Sequence, residues 1–477
     1  MKLVYGVNDK PKFGQLIIFA FQQLLSIMTA TLVVPVIING TCGTTMSSAA
    51  ALFGAGIGTL IYLAFTKRKS PVFLGSSFAF INSMIAAFAG GVSMSLGFLG
   101  LIIGAFFAGL VYVIIAIIVK FAGVNWLNKI MPAVVIGPTV AIIGLSLAGN
   151  AVGDLAKGGV TKAVIEPVIQ KSEEGIATLA EVTNFVPVAN PLIAVLCGII
   201  TLLIVILCST YGNKTMKLIP FIIGILGGYA VCAIFTVIGH VAQLDALKLL
   251  NIEPFKALVA NGISLNTFFT VPEFTFLGAF DGIKEITPAY ISTIAVAYIP
   301  VAFVVFAEHI ADHKNISSII EADLLNDPGL HRTLLGDGVG SMFGAFFGGC
   351  PNTTYGESVG CVAITRNASV RTIMLAAILS ILIAFVAPFI AFVNSIPPCV
   401  MGGVCMALYG FIAVSGLKMI QKVDLNQNKN LFVVSAILIA GIGGLELRFG
   451  QILITPIACA LILGIIINLV LSKSKEE

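Results

Sequence analysis

The sequence predicts an all-α membrane protein that crosses the bilayer many times. Of its 477 residues, 58% are hydrophobic and only 10% are charged, whereas soluble domains carry about 25% charged residues. Apolar runs long enough to cross a bilayer recur along the whole chain. The first run follows a charged segment and lacks a small-residue cleavage site, so we expect it to be retained as a span and not removed as a signal peptide.

About fourteen apolar runs can be counted in order. They are residues 14–37, 46–66, 71–88, 94–119, 132–150, 189–209, 218–240, 287–310, 334–348, 350–366, 372–394, 399–417, 430–446 and 451–471. An even number of spans places both termini on the same side of the membrane. Fourteen spans also suggest two halves of seven. A repeat with an odd number of spans enters the membrane in the opposite orientation the second time, so the sequence predicts a 7+7 inverted repeat.

The distribution of positive charge supports this count. If the N-terminus is cytoplasmic, 19 of the 26 Lys and Arg residues fall on the cytoplasmic side. Six of the other seven lie in or beside two long polar connections, 151–187 and 241–282, where the charge rule is weak. We therefore expect a multi-pass protein of the cell membrane with both termini in the cytoplasm. Because the basic residues lie in short loops between spans, the net charge of +4 gives no indication of nucleic-acid binding.

Two of the predicted spans are interrupted in equivalent positions of the two halves. Span 3 contains small and polar residues at 74–80, and span 10 contains them at 351–360. Pro351 removes a backbone donor, and Gly356 and Gly360 weaken a helix. Irregular backbone inside the bilayer needs a protein or water-filled environment, and paired broken spans indicate a transporter's substrate site. The alternative is that the glycines only allow close helix packing.

Three acids near the middle of the second half lie in or at the edge of an apolar run: Glu308, Asp312 and Glu357. We expect no other Asp or Glu in an apolar run of this region. Glu308 and Asp312 are four residues apart and share one helical face. Embedded carboxylates are costly, so they indicate function. The alternatives are that Glu308 bonds a neighbouring helix and that Asp312 is a solvated acid at a helix end.

The sequence contains no HExxH motif or phosphate loop, and its nine cysteines form no CxxC pair. We therefore expect no cofactor, no metal and no catalytic residue, and do not expect an enzyme.

Several motifs resemble the nucleobase-ascorbate transporter (nucleobase-cation symporter) family, most closely its bacterial uracil-permease branch. They are residues 31–35, 75–80, 308–312, 327–332, 351–357, 363–366 and 401–404. The run from Asn352 to Glu357, Asn-Thr-Thr-Tyr-Gly-Glu, is the most specific of them. The resemblance extends over nearly the whole chain.

The family resemblance implies a division into two domains, each built from parts of both halves. A core would comprise residues 1–125 (spans 1–4) and 246–396 (spans 8–11). A gate would comprise residues 126–245 (spans 5–7) and 397–477 (spans 12–14). The resemblance also implies that broken spans 3 and 10 carry short strands that pair antiparallel, and that the gate domains form a homodimer.

The resemblance further implies roles for single residues. Glu308 and Glu357 would grip a nucleobase, and Glu308 and Asp312 would couple its transport to protons. The remaining site residues would be the backbone N–H donors Phe78 and Gly356 and the pocket-lining Ala30 and Tyr355. This chain departs from the family pattern with Gln23 in place of a histidine and Ser358 in place of a frequent asparagine. Asp312 stands where some uracil permeases have histidine.

The chemistry of the ligand agrees with these roles. A pyrimidine dione presents ring N–H donors beside carbonyl acceptors, which suit carboxylates and free backbone N–H groups respectively. We expect a secondary active transporter that imports uracil by proton symport, with alternating access between core and gate. The alternatives are a xanthine or urate permease of the same family and an anion exchanger of the same general fold. The pair Thr354 and Tyr355 favours uracil.

Overall fold

The computed structural model describes residues 3–123, 132–171, 177–260, 262–449 and 452–471. Within these residues, eight helices are long and apolar enough to cross a membrane, and four shorter helices are also apolar. The predicted mostly helical, multi-pass membrane architecture is confirmed.

The chain folds into twenty helices and six short or medium strands across these described ranges. The first half contains α1 (Phe13–Cys42), α2 (Ser48–Phe65), β1 (Leu74–Ser76), α3 (Ile81–Ala87), α4 (Met94–Ala122), α5 (Ala133–Ser146), α6 (Ala148–Leu155), β2 (Thr161–Lys171), β3 (Ala177–Pro187), α7 (Pro191–Tyr211), α8 (Lys214–Leu218) and α9 (Pro220–Val241). Next come α10 (Glu253–Val259), α11 (Leu265–Phe268), α12 (Thr275–Ala279), α13 (Pro288–Ile320), α14 (Leu330–Gly348), β4 (Asn352–Thr354), α15 (Gly356–Thr365), α16 (Val370–Ile383), α17 (Ala387–Ser395), α18 (Pro398–Ile420), α19 (Asn428–Ile442), β5 (Leu447–Phe449), β6 (Ile452–Ile454) and α20 (Pro456–Leu471). Turns of 3-10 or π helix lie at Phe78–Phe80, Asp245–Leu247, Asp281–Glu285 and Leu325–Gly329.

Capping residues fix where several of these helices begin and end. The side chains of Ser47, Ser93 and Thr287 accept hydrogen bonds from backbone N–H groups in the first turns of α2, α4 and α13, which satisfies donors that have no acceptor inside the helix. Gly43 and Gly349 end α1 and α14 in the left-handed conformation, which glycine adopts without strain.

Residues Met1–Ala148, Phe268–Ile390 and Leu408–Glu477 form one compact unit. In it, β1 pairs antiparallel with β4, with Leu74 opposite Thr354 and Ser76 opposite Asn352. The two strands come from opposite halves of the chain. This pairing brings the interrupted segments of both halves together inside the unit.

Helices α2 and α14 of this unit approach closely through glycines. An added Cβ on Gly54 would collide with the backbone oxygen of Gly344, and one on Gly58 would lie 2.7 Å from the backbone oxygen of Gly340. The amide of Asn352 enters the same contact and donates to the carbonyl of Gly54 at 3.2 Å. Small residues therefore allow β4 to be held directly by a helix pair, as is common in membrane proteins.

Residues Gly149–Thr267 and Ala391–Ala407 form a second unit. Its helices α7 and α9 pack together where Gly228 meets Thr201 and Gly224 meets Val205. It also contains an antiparallel hairpin of β2 and β3, in which Thr161 pairs with Pro187.

The hairpins correct the expectation of an all-α chain. The sequence predicts a polar connection at 151–187, because this segment lacks a long apolar run. The β2 and β3 segments are instead rich in Val, Ile and Thr, which favour extended strands. A second small hairpin, β5 with β6, lies where the last two predicted spans were expected to end and begin.

Candidate functional site

The site is built where the two interrupted segments meet. Beyond the strand pair, the N–H of Ser77 donates to the carbonyl of Pro351 at 2.9 Å, and the N–H of Tyr355 donates to the carbonyl of Phe73 at 3.2 Å. Each strand then turns into a helical segment, one at Phe78 and the other at Gly356. The first N–H groups of a helix have no acceptor within it, so the backbone donors of two helix starts lie beside the strand pair.

The acids of α13 are joined to this strand pair. The hydroxyl of Thr354, in β4, donates to Oδ2 of Asp312 at 2.9 Å. A Cβ added to Gly356 would lie 3.8 Å from Oδ1 of Asp312, so Asp312 also borders the start of α15. Glu308 and Glu357 are both half-buried and lie within electrostatic range of each other and of Asp312. The structure therefore brings the three acids identified in the sequence into one cluster.

The remaining predicted site residues surround the same strands. Tyr355 is buried and its hydroxyl donates to the carbonyl of Ser76 at 2.6 Å. Its ring lies against Gly75, where any Cβ would collide with it. The half-buried ring of Phe78 makes an edge contact with Tyr409 at a centroid distance of 6.0 Å. Ala30 is buried in α1, which packs against β1 and α15.

A cavity of about 530 Å³ lies against α13, the helix that carries Glu308 and Asp312. Its lining comes from three segments: Pro132, Ala133 and Ile136; Phe306, Ala307, Ile310, Ala311 and Lys314; and Met419 and Lys422. Ala307 and Ala311 are the neighbours in α13 of Glu308 and Asp312. This volume falls within the range of small-molecule sites. A space large enough for a small molecule therefore borders the helix that carries two of the three acids.

A fourth embedded acid, Asp337, is not among the three that the sequence analysis predicts. It is fully buried in α14, and its Oδ2 lies 2.6 Å from Nδ1 of His309. Nε2 of the same ring lies 2.9 Å from the hydroxyl of Thr333. The count of three embedded acids is therefore wrong. The signal was available, because Asp337 lies inside the predicted span 334–348.

The second histidine of α13 continues this buried network. Nδ1 of His313 lies 2.8 Å from the carbonyl oxygen of His309, and Nε2 lies 2.7 Å from the hydroxyl of Tyr62. Tyr62 in turn donates to Ser70 at 2.7 Å. These polar groups connect α13 to α2 and α14, on a side of α13 different from that of Glu308. Over the described part of the chain, no group of three or more His, Cys, Asp or Glu side chains is arranged to hold a metal ion.

Comparison with known protein families identifies the class of the chain. A family model described as "Permease family" matches residues 14–448. The chain belongs to this permease family. It is 36% identical to the uracil permease of Bacillus subtilis (strain 168), over 100% of this chain and 97% of that protein. It is 34% identical to the uracil permease of Escherichia coli (strain K12), over 98% of this chain and 93% of that protein. The resemblance inferred from the motifs is confirmed.

The fold of the permease is also similar to that of solved structures. The transmembrane domain of a cyanobacterium bicarbonate transporter, BicA, matches it with a TM-score of 0.55 at 12% identity, covering 98% of this chain and 100% of that one. At this low identity the likeness concerns the fold alone.

The two departures of this permease from the family pattern are in contact. Nε2 of Gln23, in α1, donates to the hydroxyl oxygen of Ser358, in α15, at 2.5 Å. The same oxygen accepts the backbone N–H of Phe73 at 2.9 Å. The changed pair therefore forms a buried link among α1, α15 and the segment that leads into β1. Neither Gln23 nor Ser358 carries a charge, so this link holds the site without a titratable group.

Proposed function

We propose that this permease imports uracil across the cell membrane by proton symport. The observation that carries the proposal is the hydrogen bond from Thr354 to Asp312, because it joins the acids of α13 to the strand pair made by the broken spans. The names of the relatives in Bacillus subtilis and Escherichia coli supply the substrate.

In the proposed complex, the carboxylates of Glu308 and Glu357 accept the ring N–H groups of uracil. The backbone N–H groups of Phe78 and Gly356 donate to its carbonyl oxygens, and Ala30 and Tyr355 line the pocket. An ionised carboxylate only accepts hydrogen bonds and a backbone N–H only donates them. This donor and acceptor pattern is complementary to a pyrimidine dione.

Proton coupling follows from the same acids. Two carboxylates around a neutral base leave net negative charge in a region of low dielectric, and one proton relieves it. In the proposal Glu308 carries this proton, and Asp312, one helical turn away, adjusts how tightly it is held. One proton supplies roughly 2.3 kcal/mol per 100 mV of membrane potential and about 1.4 kcal/mol per pH unit, which is sufficient for uphill uptake.

The proposed cycle is alternating access in a fourteen-span, 7+7 inverted repeat. Core segments 1–125 and 246–396 would move against gate segments 126–245 and 397–477, and the gate would form a homodimer. Pairing of the N-terminal segment with the residues after α15 supports the placement of the N-terminus on the same side as that loop, which we take to be cytoplasmic.

A xanthine or urate permease is the nearest alternative, because it would share the fold and the acids. An anion exchanger is a more distant one, since the fold of a bicarbonate transporter is similar. Anion binding calls for helix N-termini with a cation, whereas the cluster of Glu308, Asp312 and Glu357 would repel an anion.

The test is uptake of radiolabelled uracil in cells that lack their own permease, with unlabelled uracil, xanthine, urate and bicarbonate as competitors. We expect saturable uptake that only uracil and close analogues suppress. Uptake of labelled xanthine with no uracil uptake would establish the purine alternative instead.

A further inference from the structure

The N-terminal segment, residues 4–9, runs along the loop that follows the half-helix α15; we call it the N-terminal strap. The backbone N–H groups of Val4 and Tyr5 both donate to the carbonyl oxygen of Arg366, at 2.8 and 3.3 Å. Arg366 is the residue that ends α15. The strap therefore supplies donors to the C-terminal end of this half-helix, where carbonyl groups have no partner inside the helix.

The contact continues along the loop. The N–H of Ala368 donates to the carbonyl of Tyr5 at 2.9 Å, and the N–H of Val370 donates to the carbonyl of Val7 at 3.1 Å. The hydroxyl of Ser369 donates to the carbonyl of Asp9 at 2.7 Å. The strap thus donates backbone hydrogen bonds to the loop and accepts others from it, although the two segments are about 360 residues apart in sequence.

The strap is itself anchored to α1. The hydroxyl of Tyr5 donates to Oε1 of Gln15 at 2.5 Å, and the ring of Tyr5 meets the ring of Phe19 at a centroid distance of 6.1 Å. The N–H of Gly6 donates to the carboxylate of Asp9 at 2.7 Å, which closes a tight turn. The strap is thus a fixed connection between α1 and the far end of α15.

The half-helix that the strap holds carries site residues at its other end. It is 10 residues long and begins with Gly356 and Glu357, so its length is about 15 Å. A helix this short is marginal unless its surroundings hold it. Arg366 also adopts φ +57°, a left-handed conformation that a non-glycine residue keeps only when its neighbours fix it. Any tilt of α15 about this end would move the carboxylate of Glu357.

We propose that the N-terminal strap is a positioning element of the substrate site. It fixes the C-terminal end of α15 and thereby sets the position of Glu357 and of the Gly356 backbone relative to the acids of α13. The proposal deepens the proposed function and rests on it for the identity of the substrate. It assigns no substrate contact to the strap itself.

Val370→Pro removes one strap bond with little other change. Val370 is the first residue of α16, a position where proline is tolerated. Ser369 before it has φ −63° and ψ 120°, the extended conformation that residues before proline adopt. The substitution removes the N–H that donates to Val7. Val4→Pro removes the shorter of the two hydrogen bonds that the strap donates to the carbonyl of Arg366.

The experiment compares the double variant V4P/V370P with its matched control V4A/V370A, which loses the same side chains but keeps both N–H groups. Equilibrium binding of radiolabelled uracil is measured on the monodisperse fraction of each purified protein, so that misfolded protein does not count. We expect Kd to be raised roughly three- to tenfold in the proline variant relative to the alanine variant. Equal Kd values would overturn the proposal.

Backbone hydrogen exchange gives a readout that does not depend on uracil. In the proline variant, exchange should become faster in residues 356–365 and stay unchanged in α14, relative to the alanine control. Unchanged exchange in residues 356–365 would overturn the proposal whatever the substrate is. Faster exchange in a protein whose wild type binds no uracil would support the strap and reject the proposed function, so the two failures can be distinguished.

Discussion

Asp312 connects two parts of the site through one side chain. One carboxylate oxygen accepts the hydroxyl of Thr354 in β4, and the other faces Gly356 at the start of α15. Glu308, one helical turn earlier, is half-buried in the same cluster. The two acids of α13 therefore have different surroundings, which is consistent with different roles in the proposed transport cycle.

We expect Glu308→Gln and Glu357→Gln each to abolish uracil uptake while the protein still reaches the membrane. Each carboxylate is proposed to accept a substrate N–H, and a hydrogen bond to a charged group contributes about 1.5 to 3 kcal/mol, or roughly 10- to 150-fold in affinity. Uptake and surface amount are measured in the same cells. Glu285→Gln, an exposed acid outside the cluster, is the control and should transport normally. Normal uptake by either site variant would remove that residue from the site.

Single residues differ in how well the sequence predicts their role. Glu308, Asp312 and Glu357 are visible because an acid in an apolar run is unusual, and the same rule would have found Asp337. The partner of an acid is harder to predict. His309 lies 28 residues from Asp337, and Gln23 lies 335 residues from Ser358, so only the packing of the helices shows that these side chains meet.

At the scale of elements, the glycine contact between α2 and α14 supports the strand pair. A Cβ added to Gly58 would lie 2.6 Å from Nδ2 of Asn352 and 2.7 Å from the backbone oxygen of Gly340. Both neighbours are buried within the helix pair, and one of them is backbone. The position of β4 therefore depends on the close approach of α2 and α14, because Asn352 of β4 packs into that contact.

We expect Gly58→Ala to lower the stability of the protein. The added methyl group must displace α14 or the side chain of Asn352, and such overpacking costs roughly 1 to 3 kcal/mol. The measurement is the apparent melting temperature of the purified protein in detergent. Gly410→Ala is the matched control, because Gly410 lies in α18 with nothing within 4 Å of an added Cβ. An unchanged melting temperature in Gly58→Ala would contradict the role given to this contact.

The elements also show where sequence patterns stop being informative. Apolar runs of about twenty residues indicate spans, because the thickness of the bilayer sets their length. Eight of the described helices are long and apolar enough to cross a membrane, and the count of fourteen stays a prediction. The β2–β3 hairpin is not predicted, because the polar composition of its segment indicates irregular structure. Its Val, Ile and Thr residues nevertheless favour strands. Interruptions such as 351–360 can be located from Pro and Gly, but the register that places Ser76 opposite Asn352 depends on the assembled helices.

For the whole molecule, the proposed transport cycle depends on where the proton is carried. Asp312 lies one turn from Glu308, so when both are ionised each disfavours the charge of the other and their protons are released in coupled steps. Asp312→Asn removes this repulsion and leaves an amide of nearly the same size. The carbonyl oxygen of that amide can still accept the hydroxyl of Thr354.

We expect Asp312→Asn to move the alkaline limb of the uptake profile to lower pH, because Glu308 then loses its proton more easily. Equilibrium binding of uracil should change much less than accumulation, since Asp312 is not proposed to grip the base. The measurement uses proteoliposomes of both forms with an imposed pH gradient and no sodium, and a protonophore as control. Accumulation that requires sodium and ignores the protonophore would exclude proton symport. An unshifted profile in the variant would leave proton symport intact and reject the link between Asp312 and Glu308.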